Sequence, residues 1–257
     1  MNSWILLRGL LRETRHWGDF PARLQAALPG DRVVAIDLPG NGEHYRLRSP
    51  LRVAEMVQFC RAQLALHGEP GPFNLLALSL GGMVACDWAR SHPAEIHRCV
   101  LINTSMRPFS PFYRRLRPRN YPPLLLHGLR ADTGREFEQL LLRLTSSRAD
   151  PAVLPHWLAW RTQYPVSRAN ALRQLLAAAR FSAPRHKLPQ PLLVLAGSAD
   201  RLVDHRCSLA LARHWHSTLA LHPWAGHDLP LDDGEWVIEQ ICHWLAHSVA
   251  ENADRQS

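Results

Sequence analysis

The sequence predicts an α/β fold: a doubly wound, mostly parallel sheet interrupted by a helical cap insertion. Three observations predict it. Six short apolar runs are spaced as strands: "SWILLR" (3–8), "RVVAID" (32–37), "FNLLAL" (73–78), "RCVLIN" (98–103), "PLLVLAG" (191–197) and "STLALH" (217–222). Between them, helical patterns fall at 17–28, 50–67, 81–92, 205–214 and 234–248. That alternation builds a parallel sheet covered on both faces. The third observation is where it fails: from Arg107 the text turns Pro- and Arg-rich ("RPFSPFYRRLRPRNYPP") and then helical ("GREFEQLLLRLTSS", "AVLPHWLAWRTQY", "RANALRQLLAAARF"). Residues 1–106 and 188–257 therefore read as the core, and 107–187 as a cap. Because the insert leaves after one core strand and returns before the next, it is expected over the carboxyl ends of the strands, where open α/β sheets bind ligands.

Composition bounds the function classes. A chain of 257 residues with 46% hydrophobic and 20% charged residues is globular and buries a large core. No apolar run approaches the roughly 18 residues that a membrane helix needs, so a soluble protein without a membrane partner is expected. The run "WILL" ahead of Arg8 is too short for a secretory leader. The five cysteines are odd in number, widely spaced and without a CxxC pair, which predicts reduced, buried thiols in a cytoplasmic protein and no metal site.

The net charge of +8 is concentrated in one place. Residues 107–187 hold fifteen basic side chains against four acidic ones, and the rest of the chain is slightly acidic. No zinc-finger, RNP or helix-turn-helix signature accompanies them, so a nucleic-acid partner is not expected. Two readings of the basic insert stay open: a solvated face in a chain with 29 Arg and one Lys, or a positive field at a site entrance that captures anionic substrates.

The chemistry centres on "NLLALSLGGMVACDWA" (74–89). A serine on a sharp turn between a buried strand and a helix, with small residues two places either side, holds its hydroxyl above the sheet. Ala77, Ser79 and Gly81 meet that pattern, with alanine in place of the first glycine. Serine is also a favoured helix N-cap, so the turn alone leaves both roles open. Two further residues follow later strands: Asp200 in "LAGSADRLVD" and His227 in "HPWAGHDLP". The order Ser, Asp, His is that of the α/β hydrolases.

With these motifs in hand, the chain resembles a capped serine carboxylesterase or thioesterase of the α/β-hydrolase superfamily. "RGLLRETRHW" is similar to the family's loop after the first parallel strand, "AIDLPGNGEH" to its "DLPGHG" loop, "ALSLGG" to its elbow, "GSADRLV" to its acid loop and "AGHDLPLDD" to its histidine loop. Within the family it looks most like the carboxylesterases of biotin synthesis, which also carry "SLGG" and a helical cap. The resemblance implies Ser79 as nucleophile, His227 as general base and Asp200 as its orienting acid. It implies the backbone amides of Leu10 and Leu80 as the oxyanion hole, and no cofactor.

Other assignments remain possible at this level. Asp204 competes with Asp200 as the acid, and Asp228 and Asp232 lie near His227 in sequence. Arg8 stands where the family has a histidine, and reads either as a substrate anchor or as the partner of a carboxylate such as Asp37. Trp17 and Trp224, with Trp157 and Trp160, are candidates for an apolar acyl pocket. His214, His216 and His222 have no carboxylate or thiolate at ligand spacing and read as ordinary histidines. The expected function is hydrolysis of a carboxylic ester or an acyl thioester, free or linked to a carrier protein or coenzyme A. Acyl transfer on the same triad and non-catalytic ligand binding on a hydrolase scaffold are the alternatives.

Overall fold

The computed structural model describes residues 2–129, 134–148 and 150–254. Six strands, β1 (Ser3–Leu7), β2 (Arg32–Ile36), β3 (Phe73–Leu78), β4 (Ile96–Ile102), β5 (Leu192–Gly197) and β6 (Thr218–His222), form one sheet in the order β2-β1-β3-β4-β5-β6. Every neighbouring pair is parallel. Among the described residues the sheet contains no antiparallel strand.

The helices in chain order are α1 (Phe20–Ala27), α2 (Val53–Leu66), α3 (Leu80–Ser91), α4 (Phe112–Arg115), α5 (Tyr121–Leu129), α6 (Gly134–Thr145), α7 (Val153–Gln163), α8 (Arg168–Arg180), α9 (Arg206–Trp215) and α10 (Leu229–Asp254). Successive strand residues point to opposite faces, so each central strand feeds two cores. Ile5, Leu7, Leu75, Ala77, Cys99, Leu101 and Val194 pack under α2, α3 and α9. Their neighbours Trp4, Leu6, Leu76, Leu78, Val100, Ile102, Leu193 and Leu195 pack under α1 and α10. This double burial is why the strands read as unbroken apolar runs rather than alternating ones.

Two helix boundaries differ from the sequence pattern. The helix expected over 17–28 is a 3-10 turn at Thr14–Trp17 followed by α1, because Gly18 takes φ 59° and breaks the path. The last helix begins at Leu229 and bends at Asp233, whose φ of −158° is not helical. Helices α4 to α8 occupy the stretch between β4 and β5. Their entry and exit lie side by side, with Ala183 donating to the carbonyl of Arg107 at 2.7 Å. Four of the five cysteines are buried, and burial pushes the Cys60 and Cys99 thiols up to about 12, which keeps them protonated and inert. Among the described residues, no helix is long and apolar enough to cross a membrane.

Candidate active site

Because all six strands run the same way, the loops after β1, β3, β4, β5 and β6 open on one edge of the sheet. Each carries one element of the site. Ser79 follows β3 with φ 57° and ψ −113°, a conformation that costs a non-glycine residue about 1–3 kcal/mol. Its side chain caps no backbone N–H of α3, which removes the N-cap explanation for a serine there. The small residues around it are sterically required. Ala77 is fully buried between Leu7 and Leu101 of the flanking strands. A Cβ on Gly81 would lie 2.8 Å from the carbonyl oxygen of Arg8, and one on Gly82 would lie 2.8 Å from Cβ of Thr104.

After β5, Asp200 is 2% exposed and is held by the backbone. Its Oδ1 accepts the amides of Leu202 at 2.8 Å and Val203 at 2.9 Å. Its Oδ2 faces Nδ1 of His227 at 2.6 Å, and His227 is 4% exposed. A proton on Nδ1 leaves Nε2 as the free nitrogen of the ring. Asp204 has other partners: it accepts from the Arg206 amide at 3.0 Å and faces Arg117 at 4.0 Å. Asp232 accepts from Gly226 and from Ser146 and Ser147, and makes no bond to the ring of His227.

The structure gives Arg8 a different partner from Asp37. Arg8 Nη1 and Nη2 donate to Asp228 Oδ1 and Oδ2 at 3.1 and 2.5 Å, with both side chains under 5% exposed. Asp37 instead accepts the amides of Thr14 at 2.6 Å and Glu43 at 3.1 Å, and burial raises its pKa from the ordinary aspartate value. The guanidinium of Arg8 lies 4.7 Å from the ring of Trp17, which stacks on Phe20. So Arg8 and Trp17 turn toward each other. Trp224 lies beneath the guanidinium of Arg148 at 3.5 Å and edge-on to His222.

The loop after β1 is packed directly on Ser79, since a Cβ on Gly9 would lie 3.1 Å from the serine Cβ. Leu10 and Leu80 carry amides with no protein acceptor among the described residues. The next residue, Leu11, has φ 62° and donates its amide to Oε1 of Gln174 on α8 at 3.1 Å. Gln174 is fully buried, and its Nε2 donates to Asn41 Oδ1 at 2.8 Å and Ser49 Oγ at 3.1 Å. A helix of the insert thus holds the loop that bears Leu10. A second link is Glu138 on α6, 3% exposed, which accepts from Arg12 at 2.7 Å and Arg161 at 3.2 Å.

Two residues to which the sequence reading assigned no role complete the frame. Asn103 and Thr104 follow β4. Thr104 Oγ1 donates to the carbonyl of Ser79 at 2.8 Å, and Asn103 Nδ2 donates to the carbonyl of His227 at 2.8 Å. The sequence signal at Asn103 is a polar residue directly after a buried apolar strand, and the structure adds a left-handed φ of 46° there.

Two clefts open near this edge. One, of about 510 Å³, lies between Trp17, Asp19, Trp157, Trp160 and the start of α10. The other, of about 360 Å³, is lined by Tyr113, Arg114, Arg117, Arg119, Asp204 and Arg206. Neither includes Ser79 or His227.

The sheet order, the elbow and the paired Asp200 and His227 define an α/β-hydrolase architecture. Residues 5–240 match the model of the alpha/beta hydrolase family, and the chain belongs to that family and is a hydrolase. Over 215 residues it is 31% identical to the pimeloyl-[acyl-carrier protein] methyl ester esterase of Aeromonas hydrophila, covering 75% of this chain and 80% of that one. A 102-residue stretch is 35% identical to the biotin biosynthesis bifunctional protein of Teredinibacter turnerae. This match takes in 39% of the chain but spans only 17% of that longer protein. Among solved structures, the enol-lactonase of Burkholderia xenovorans superposes with a TM-score of 0.77 at 16% identity, covering 95% of this chain and 91% of that one. At that identity the likeness speaks for the fold alone.

Proposed function

We propose that this hydrolase cleaves a carboxylic ester through an acyl-enzyme on Ser79. The observation that carries the reading is the 2.6 Å contact between Asp200 and His227, buried at the same sheet edge as Ser79. In this scheme His227 Nε2 takes the proton of the Ser79 hydroxyl as Oγ attacks the acyl carbon, and the charge that develops on the carbonyl oxygen is met by the amides of Leu10 and Leu80. Collapse breaks the bond to the leaving alcohol, which receives the proton from His227. His227 then takes a proton from water as it attacks the acyl-serine, the bond between the acyl carbon and Oγ breaks, the carboxylic acid leaves, and His227 returns the proton to Ser79. Asp200 fixes the imidazole tautomer and stabilises the imidazolium. A thioester fits the same scheme with a thiol as leaving group.

The substrate we propose is an acyl group on an acidic or phosphate-bearing carrier. Two observations support it: relatives named as esterases of a carrier-linked methyl ester, and the excess of arginine in residues 107–187, which form the cap in this reading. The decisive experiment has two arms. A fluorophosphonate should label Ser79, located by peptide mass, and a panel of nitrophenyl esters, carrier-linked methyl esters and acyl thioesters of graded length should show turnover. Absence of both labelling and turnover would refute the nucleophile. Turnover that appears only with an added alcohol or thiol acceptor would replace hydrolysis with acyl transfer.

A further inference from the structure

We infer that the Arg8–Asp228 ion pair sets the position of the histidine loop relative to the loop bearing Leu10, so that Arg8 is a positioning residue and not a substrate anchor. The inference rests on the serine-hydrolase reading and adds a residue to it. Its ground is where the two partners stand. Arg8 directly follows β1, and its carbonyl and the following Gly9 are packed against Gly81 and Ser79. Asp228 directly follows His227, 220 positions further along the chain, and its amide donates to the carbonyl of Thr145 at the end of α6 at 2.7 Å. One side-chain contact therefore joins the loop before the proposed oxyanion donor, the base and the insert.

The chemistry suits positioning better than stabilisation. Taking both charges out of water costs about as much as their attraction returns, so a buried pair of this kind is weak support for stability. The Nε of Arg8 is buried without an acceptor, so the guanidinium is not fully compensated either. What a two-pronged Arg–carboxylate contact does supply is angular constraint, since both nitrogens must meet both oxygens. Trp17 against the guanidinium restricts it further. Both terminal nitrogens of Arg8 are engaged by the Asp228 carboxylate, with both side chains under 5% exposed, so the head of Arg8 is committed to that partner.

The test separates geometry from stability. In Arg8→Met/Asp228→Leu the pair is replaced by apolar side chains of similar bulk. Thermal stability should stay close to wild type, while kcat on a nitrophenyl ester and the rate of fluorophosphonate labelling should fall by about tenfold or more, with KM within about twofold. Arg8→Lys keeps the charge without the fork, and should fold normally with an intermediate loss of kcat. Wild-type kcat and labelling in either variant would overturn the inference, leaving the pair as filler. A raised KM with kcat unchanged would overturn it in favour of substrate contact. If the wild-type protein itself neither labels nor turns over ester, the serine-hydrolase reading falls and takes this inference with it, an outcome distinct from the two above.

Discussion

The side-chain amide of Asn103 donates to the backbone carbonyl of His227 at 2.8 Å, and also to that of Gly226 at 2.9 Å. Its oxygen accepts the amide of Gly197 at 2.9 Å, so one side chain ties the ends of β4 and β5 to the histidine loop. The residue has φ 46°, a region that asparagine tolerates better than most residues. A buried carbonyl deprived of its donor costs about 1–3 kcal/mol, and a carboxylate in its place adds repulsion.

Asn103→Asp should therefore lower both thermal stability and kcat, the latter by about tenfold or more if the histidine loop shifts by a fraction of an ångström. Steady-state kinetics and a melting curve on the same preparation check this. A variant with unchanged kcat would show that the loop is held in place without Asn103.

Ser79→Ala should abolish hydrolysis and fluorophosphonate labelling with the fold retained. The change removes one oxygen that caps nothing, so stability should move by about 1 kcal/mol or less, and relief of nothing larger than a hydroxyl is expected. Residual turnover close to wild type in the folded variant would exclude Ser79 as the nucleophile.

The two carboxylates after β5 should behave very differently. Asp200→Asn presents the imidazole with the wrong partner and should reduce kcat by on the order of 10⁴. Among the described residues the Asp204 side chain meets the Arg206 amide and Arg117, and Asp204→Asn should stay within a few-fold of wild type. The reverse ranking would reassign the acid.

His16 offers a pH signature. It is buried between Trp157 and Trp160, and burial, with Arg12 and Arg8 nearby, holds its pKa well below that of a free histidine. A lowered folded-state value means that the unfolded chain binds the proton first. The stability this contributes is complete above the unfolded pKa of about 6.5 and is lost as pH falls below it, by up to about 1.4 kcal/mol per pH unit. His16→Gln should remove that part of the slope. Denaturant titrations of both proteins at pH 5, 6 and 7 should show a shallower acid loss in the variant; parallel slopes would mean that His16 takes up its proton equally in both states.

The basic insert can be tested at a defined cleft. Arg114, Arg117 and Arg119 line it together with Arg206, whereas Arg115 turns inward to the carbonyl of Ala178 at 2.6 Å and burial lowers its pKa. Replacing the four cleft arginines by glutamine should lower kcat/KM for a carrier-linked ester by about tenfold at low salt and leave a small neutral ester unaffected. Equal losses on both would indicate damaged packing instead, and no loss on either would leave the charge as a solvated face.

The sequence by itself determined the parallel sheet, and it offered the three chain positions, Ser79, Asp200 and His227, on which the proposed chemistry turns. It did so because a strand buried on both faces must be apolar at every position, and because a strained turn admits only small neighbours, as at Ala77 and Gly81. Both leave a pattern within a short stretch of sequence, although the atoms that a larger side chain at Gly81 would meet, the carbonyls of Leu7 and Arg8, belong to another strand and its loop. Partner choice was decided only by the tertiary structure. Arg8 reads equally well as paired with Asp37 or as free, until the loop after β6 reaches across the strand ends and sets Asp228 beside it. The resemblance favours Asp200 over Asp204 as the acid, but only the structure shows Asp200, held by the backbone of Leu202 and Val203, facing His227. Gln174 looks like any polar residue of an amphipathic helix, yet it is fully buried and holds the amide of Leu11, 163 positions away. Hydrogen bonds across such separations depend on which loops the sheet sets side by side, and apolar periodicity records burial without recording the neighbour.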